Sequence, residues 1–514
     1  MEQMNKGKQG AKKLYDKLSE KRVNYLNRAE DASKLTIPQL YTGTYDGTDE
    51  GNSYGNPYQS LGARGVNNLA NKIILTLFPP ATAFFKMGVD PITLKAMGKG
   101  EGQINQALQV LEKSIVNEME ISQLRSALVD SLKHGIVAGS VVLHVPETDS
   151  PKVYSLDSFA IKRSKSKKIL KLIIKECMMY SEFDKDVQKQ LVDSNKLKES
   201  QREGKDALDV YTVIKREDDG MYSVHQDILD MEIDGTQGRY KEGDLPYIFV
   251  PFVDRGESYG RSYLEDYIGD LNSYEGLRQS VLEAAAESAR ILYLIKPNAT
   301  LTPKKLQSAN SGDVIQGNPD DVGVLQADKR LDLQIAQAEM EILRLDLSTL
   351  FLLDSSVRRN AERVTAEEIR RVSQELEVAL GGIYSTLANV LQEPLVNLYL
   401  NRLKKKGTIN SALKDSIELE VTTGSAALGR GTEFNSITAF TQAAQAVLGD
   451  QFSSVVKMPE LIARIANSLD IGTSELIKTE EEIQAEQVAA QEAQLQQQAV
   501  APAISAAAQG QGQE

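Results

Sequence analysis

The chain has 514 residues, 41% of them hydrophobic and 25% charged, and its 72 Asp and Glu against 59 Lys and Arg leave a formal net charge of −13. That length passes the ~250–300 residues at which a single core stops growing, so two or more domains are expected. An acidic chain without tryptophan argues against a broad basic face that grips nucleic acid and against a large carbohydrate or base-stacking surface.

From the start, residues 5–35 alternate Lys and Arg with Leu14, Leu18, Val23 and Leu26, which predicts a basic amphipathic helix packed on a neighbour. Tyr41 to Pro57 reads as a loop, and its Asp46, Asp49 and Glu50 lack the spacing of a calcium loop. Ser60 to Phe78 is expected to be helical up to Pro79-Pro80, and a second helix to run from Ile104 to Gly135. Strands follow. Ser140 to Val145 is one, and Val153 to Ile161 is expected to pair with Ile169 to Lys175 across the basic turn Lys162 to Lys168, a solvated hairpin tip. After a polar helix around Asp184 to Lys198, Val210–Lys215 and Met221–Gln226 flank Asp218-Asp219-Gly220 as a hairpin, and Asp234-Gly235 makes another turn. The first half is therefore α+β in a helix-rich chain.

Leu264, Ile268, Leu271, Tyr274, Leu277 and Val281 space a helix that runs into Ala284–Ala289 and carries more acid than base. A strand at Ile291–Ile295 and a compact insert with short strands at Val314-Ile315 and Val322–Leu325 come next. Leu331, Ile335, Ile342, Leu345 and Leu350 then predict a helix that stops at Asp354-Ser355-Ser356. The following segment has no period and carries Arg358, Arg359 and Arg363. It ends at Thr365 and Glu368, whose spacing reads as a capping box for a helix continuing through Gly381-Gly382 until Pro394 kinks or breaks it. Three cations just ahead of a helix N-terminus oppose its dipole at roughly 0.3–1 kcal/mol each. Either they are solvated loop residues, or the loop offers positive charge to an anion that the chain does not itself supply. Thr422 to Gly431 reads as a linker, Glu433–Leu448 and Pro459–Leu469 as helices, and the Gln/Ala-rich segment from Gln484 as either a solvent-bathed helix or disorder.

Chemistry-bearing patterns are missing. There is no P-loop, Gly98 to Gly102 lacks the spacing for dinucleotide binding, and no nucleophile elbow is present. His134, His144 and His225 form no ligand-spaced pair, and the lone Cys177 closes no intrachain disulfide, which suits a reducing compartment. No catalytic residue, metal site or cofactor is expected. No apolar run approaches the ~20 residues of a membrane span and Met1 to Lys6 lacks a secretory core, so a soluble intracellular product without a membrane partner is expected.

Four stretches together carry a resemblance over almost the whole chain: Tyr58 to Lys72, Tyr259 to Asp270, Glu362 to Arg370 with Leu380 to Tyr384, and Gly429-Arg430-Gly431. In this order they resemble the portal, or head-to-tail connector, proteins of short-tailed bacteriophages. The resemblance implies the phage portal fold in a ring, typically of twelve subunits, at one capsid vertex of a virion assembled in the host cytoplasm, with double-stranded DNA passing through the central channel. It implies a wing over 1–261, stem helices over 262–290 and 331–352, a clip over 291–330, a tunnel loop over 353–364, a long wing helix and linker over 365–429 and a crown with the tail over 430–514. The implied partners are further copies of the chain, the terminase packaging motor, capsid and scaffolding proteins, and tail adaptor proteins. On this reading Arg358, Arg359 and Arg363 line the channel. Two other classes stay open: a non-channel adaptor or scaffold of the virion, and a DNA-packaging enzyme, which the missing P-loop and missing acidic metal cluster oppose.

Overall fold

In the computed structural model, residues 10–41, 55–79, 84–89, 101–288, 292–299, 301–325, 330–353, 366–407, 417–420, 429–449 and 452–456 are described, with single positions up to 465. The chain divides into a large unit over 1–424 and a small one over 425–514.

The large unit starts with α1 (Ala11–Ser19) and α2 (Val23–Leu35), two helices where the spacing predicts one. The break has a structural use, because Arg22 turns inward there and donates to the Tyr15 hydroxyl and to the Phe159 carbonyl. The helix α3 (Leu61–Leu77) is followed by the short strand β1 (Lys86–Val89), then α4 (Glu101–Ile121) and α5 (Leu124–Ala138). The last two were expected as a single helix. Gln123, with φ of 55°, separates them.

The strands β2 (Ser140–His144) and β3 (Lys152–Tyr154) pair with each other. Val153 thus belongs to this pair, not to the hairpin expected for it; that hairpin joins only β4 (Phe159–Arg163) to β5 (Ile169–Met178). After α6 (Lys185–Asp193) the sheet continues through β6 (Leu208–Arg216), β7 (Tyr222–Ile228), β8 (Met231–Glu232) and β9 (Gly238–Tyr240). The turns at Gly220 and Gly235 both take positive φ, as the two Asp-Gly pairs predict. The strand β10 (Tyr247–Pro251), not foreseen, pairs antiparallel with β2.

Burial explains the composition of β5. Leu172, Ile173 and Ile174 are consecutive and all buried, because both faces of the sheet are covered. Ile173 meets Ala160, Val213 and Tyr211 beneath α1, while Leu172 and Ile174 join the main core with Ile161 and Ile214.

Beyond the sheet come α7 (Ile268–Ser288), the paired strands β11 (Leu292–Ile295) and β12 (Val322–Leu325), and α8 (Arg330–Leu350), which packs on α7. The expected strand at Val314-Ile315 is absent; Val314 is fully exposed and has no sheet neighbour. Next are α9 (Ala366–Leu380), α10 (Gly382–Leu387), one π-helical turn (Ala388–Gln392) and α11 (Glu393–Lys405). Here two expectations fail in opposite ways. The glycine doublet breaks the helix, since Gly381 takes φ 53° and ψ −133°. Pro394 does not break it, because the wider π turn precedes the proline, which sits in the first turn of α11 where its missing N–H costs nothing. A strand β13 (Ile417–Glu420) pairs antiparallel with β1.

In the small unit, α12 (Gly429–Leu448) takes in Gly429 to Gly431, expected as linker, and a short helix follows at Phe452–Val455. Most of the helix expected at 459–469 and the whole Gln/Ala-rich segment lie outside the described residues. The α+β, helix-rich class is the one the chain adopts.

Candidate functional site

Arg358, Arg359, Arg363 and Thr365 lie outside the described residues, and so does the side chain of Glu368 on α9. What the structure describes is how the two helices that flank residues 354–365 are held, the roots of the loop expected there. They converge on one face of α3.

The first root is the end of α8. Phe351 is completely buried and seats against Gly65 of α3, where even one added methyl would overlap its ring. The backbone then closes as a Schellman motif: Leu353 N–H donates to Ser348 at 2.8 Å and Leu352 N–H to Thr349 at 3.1 Å, with Leu352 left-handed at φ 53°. A leucine in that conformation costs roughly 1–2 kcal/mol relative to a right-handed one. Side chains of α3 offset it. Asn68 Nδ2 donates to the carbonyls of Phe351 and Leu352 at 3.0 and 3.1 Å, and Lys72 Nζ to Leu352 at 2.6 Å. These carbonyls belong to the negative end of α8, which an ammonium suits.

The second root is α9, whose Val372, Leu376 and Leu380 are buried at helical spacing, with α9 packed on α3. Its Glu375 reaches Lys72 Nζ at 3.9 Å. Lys72 is only 5% exposed, and burial draws its pKa below the usual lysine range, with Glu375 opposing the shift. One buried ammonium therefore reaches the Leu352 carbonyl at the end of α8 and the Glu375 carboxylate on the third turn of α9.

None of Gly65, Asn68, Lys72, Phe351 or Glu375 was singled out from the sequence. The available signal was small or polar residues at i, i+3 and i+7 on a helix otherwise lined by Val66, Leu69 and Ile73. The other motif stretches also resolve into close packing. Gln59 accepts from Gly62 N–H at 2.8 Å and donates to the Leu35 carbonyl at 2.6 Å. Tyr259 is buried with its hydroxyl accepting from Ile161 N–H at 3.1 Å, and Ser262 donates to Ile136 at 2.8 Å while accepting from Leu264 N–H at 2.9 Å.

The α7/α8 pair differs in character. Its acid excess is partly committed, since Glu275 accepts from Tyr58 and Gln59 N–H at 2.6 and 3.2 Å and Glu265, just before α7, faces Arg28 at 3.4 Å. Glu283 accepts from Gln279 Nε2 at 2.8 Å, and Asp270, Glu283 and Glu287 are all exposed to solvent. On α8, Ile335, Ile342 and Leu345 are 65%, 54% and 48% exposed at spacings of one helical face, and Leu282 of α7 is 43% exposed. Among the described residues no group of three or more His, Cys, Asp or Glu could hold a metal ion, and no helix is long and apolar enough to cross a membrane.

The family model for bacteriophage head to tail connecting proteins matches residues 8–477. The chain belongs to that family. Family members similar to it include the portal protein of Escherichia phage T7, 33% identical over 92% of this chain and 89% of its own length. The portal protein of Enterobacteria phage T3 is 35% identical over 93% and 90%, and that of Enterobacteria phage SP6 is 29% identical over 95% and 93%. A chain from the neck of a native gene transfer agent particle shows a slighter likeness, with a TM-score of 0.32 over 80% of this chain at 11% identity. Membership in the connector family makes this chain a structural component of the head-to-tail junction.

Proposed function

We propose that copies of this chain form the ring-shaped channel at one capsid vertex through which double-stranded DNA enters during packaging and leaves at ejection. The observation that carries this reading is the family match from residue 8 to residue 477, which spans nearly the whole chain. The exposed apolar face of α8 supports it, because such a stripe on a helix is covered when neighbouring copies pack side by side. On this reading residues 1–261 form the wing, α7 and α8 the stem, 291–330 the clip that meets the terminase motor and later the tail adaptors, and 430–514 the crown. Twelve subunits is the expected count. Assembly takes place in the host cytoplasm on capsid and scaffolding proteins, and the chain itself is structural rather than catalytic.

Physical chemistry gives the loop its role. Duplex DNA carries a charge every ~1.7 Å, so a bore lined with many cations would hold it, whereas one lined with carboxylates lets it slide. Exposed Asp270, Glu283 and Glu287 suit the sliding surface. Ring symmetry turns Arg358, Arg359 and Arg363 into circles of positive charge at one level, which touch phosphates transiently and help retain packaged DNA.

Electron microscopy of the purified protein tests the channel: rings with an open bore wide enough for a duplex are expected, and solid particles or monomers at high concentration would favour an adaptor. Charge reversal of the three arginines should leave rings intact and lower DNA retention in assembled heads. Unchanged DNA content would remove the loop from the mechanism. Turnover of ATP by the purified protein would revive the enzyme reading.

A further inference from the structure

The helix α1 covers only part of one face of the six-stranded sheet. Ala11 N–H donates to Asp227 on β7 at 3.2 Å and the Tyr15 hydroxyl to the Asp157 carbonyl just before β4 at 3.0 Å, so α1 runs across the strands. It seals Ala160, Ile173 and Val213, which lie in one cross-strand row, and Tyr211 in the row beside it. Two residues further along the strands, the register aligns Lys162 of β4, Lys171 of β5, Lys215 of β6, Ser223 of β7 and Arg239 of β9. Residues two apart share a face, so this basic row lies on the α1 side, and it is open: Lys162, Lys215 and Arg239 are exposed and Lys171 is half-buried.

Like charges directly opposite one another on a sheet repel. Lys175 N–H donates to the Ser158 carbonyl at 2.7 Å, so by alternation Lys162 and Lys171 form a hydrogen-bonded pair and Lys171 and Lys215 a non-hydrogen-bonded one, with Cα separations of ~5.5 and ~4.5 Å. The turn between β6 and β7 neutralises one end of the row. Its Glu217 holds Lys215 at 3.1 Å and accepts from Ser223 Oγ at 2.8 Å, and its Asp219 pairs with Arg239. Lys162 and Lys171 have no acidic partner among the described residues, and neither has Lys165 at the adjoining hairpin tip. Elsewhere on β5 the same problem is solved within the sheet, where Asp209 of β6 meets Lys175 at 3.1 Å. A chain with 72 acidic against 59 basic residues thus leaves two facing lysines uncompensated.

Spacing selects the complement. Two residues along a strand cover ~6.7 Å, so the axis of α1, over the Tyr211 and Ile173 rows, stands ~10 Å from the basic row, the distance at which two helices pack. Carboxylates at i and i+4 of a helix are ~5–6 Å apart, close to the lysine steps, whereas same-face side chains of an extended strand are ~6.7 Å apart. The row holds no aromatic ring on which a base could stack, and Arg239, its one guanidinium, is engaged. We propose that this row seats an acidic helix of a partner protein, laid beside α1 with carboxylates on Lys162 and Lys171 and an apolar edge against half-buried Leu14.

Fluorescence anisotropy of the full-length protein at low salt, with three labelled probes, tests this. They are an alanine-rich helix with Glu at every fourth position and a leucine edge, a scrambled peptide of the same composition, and a short DNA duplex. The helix should bind saturably and most tightly of the three. Lys162→Gln with Lys171→Gln should weaken it roughly tenfold or more, while Lys189→Gln, at an exposed lysine on α6, should leave it unchanged. The double variant's unfolding midpoint should match or exceed that of the wild type, because facing charges have been removed. A lower midpoint would mean that the lysines serve the fold itself and would overturn the proposal. So would equal binding of the scrambled peptide, or affinity indifferent to the double substitution. Tighter binding of the duplex, lost in the same variant, would reassign the row to nucleic acid. Binding by separate chains but not by assembled rings would make it an interface between copies.

Discussion

The loop root and the α7/α8 pair adjoin in sequence yet solve opposite problems. At the root, Phe351, Leu347, Leu376 and Ile73 are all at most 1% exposed, and the helix-end carbonyls are claimed by Asn68 and Lys72. One turn and more earlier on the same helix, Leu345, Ile342 and Ile335 stand 48% to 65% exposed, and the β11–β12 segment that α8 leaves behind presents Tyr293 and Leu294 at 56% each. A single copy can complete the first region. Nothing among the described residues covers the apolar surface of the second, so a continuous helix passes from a self-sufficient core to an exposed stripe that the proposed ring would cover with neighbouring copies.

The sharpest way to break that contrast is to charge the exposed face. Ile335→Asp with Ile342→Asp should reduce ring assembly by orders of magnitude, because each interface in a closed ring loses burial worth about 1.5–3 kcal/mol per side chain. The monomer's unfolding midpoint should stay within about 1 °C, since neither residue is buried in one copy. Sedimentation velocity reads the first and calorimetry the second; a large midpoint loss would mean that the stripe packs within the chain. Phe351→Ala is the converse, with about 3–5 kcal/mol lost from the monomer by cavity formation against Gly65. Urea titration of unassembled protein should show it.

The legible part of this fold was periodic. Leu331 to Leu350 read as a helix because apolar residues at helical spacing need no partner to be seen, even though Ile335, Ile342 and Leu345 of that stripe stand exposed, and the two Asp-Gly turns read through their demand for positive φ. Pairings between distant segments leave no such mark. Lys86–Val89 and Ile417–Glu420 are four residues each, and only the folded chain brings them together. The same limit hid the loop root. The arginines were visible as a cluster of charge, but Lys72 gains its meaning from Leu352 and Glu375, which approach it only once three helices pack. Gly381-Gly382 was passed over for a different reason, since the apolar spacing continues across the break and masks it.

Acid should find the self-sufficient region first. Burial pulls His134 and His144 down to about 4 from an ordinary 6.5, and both sit in or beside the main core, whereas α7 and α8 carry no histidine. The unfolded chain then binds more protons than the folded one between pH 6.5 and 4, so stability falls as pH drops through that window. The His134 ring keeps some solvent contact beside its 3.0 Å bond to Tyr41, and its share is on the order of 2 kcal/mol by pH 4. A midpoint measured from pH 7 to pH 4.5 should decline, and His134→Gln should flatten the decline. Lys72→Met should cost about 1–3 kcal/mol at neutral pH by leaving the Leu352 carbonyl and Glu375 without their cation. Its distinguishing readout is proteolysis within 354–365, which should accelerate if the lysine holds the loop's two roots.

The smallest effect separates backbone from packing within the root's far wall. Among the described residues nothing lies within 4 Å of where a Cβ would stand on Gly381 or Gly382, so collision with them is not what either alanine substitution would test. Gly381 holds φ 53° and ψ −133°, a conformation open to glycine and costly to any other residue, while Gly382 begins α10 in ordinary helical geometry. Gly381→Ala should therefore destabilise the unassembled chain by about 1–3 kcal/mol, and Gly382→Ala should leave it unchanged or raise it by up to about 1 kcal/mol through a less flexible unfolded state. Were both neutral, α9 and α10 would be able to fuse into the continuous helix that the apolar spacing suggests. The break at Gly381 would then be a soft joint rather than a fixed bend, and α9 could shift against α3 together with the loop it anchors.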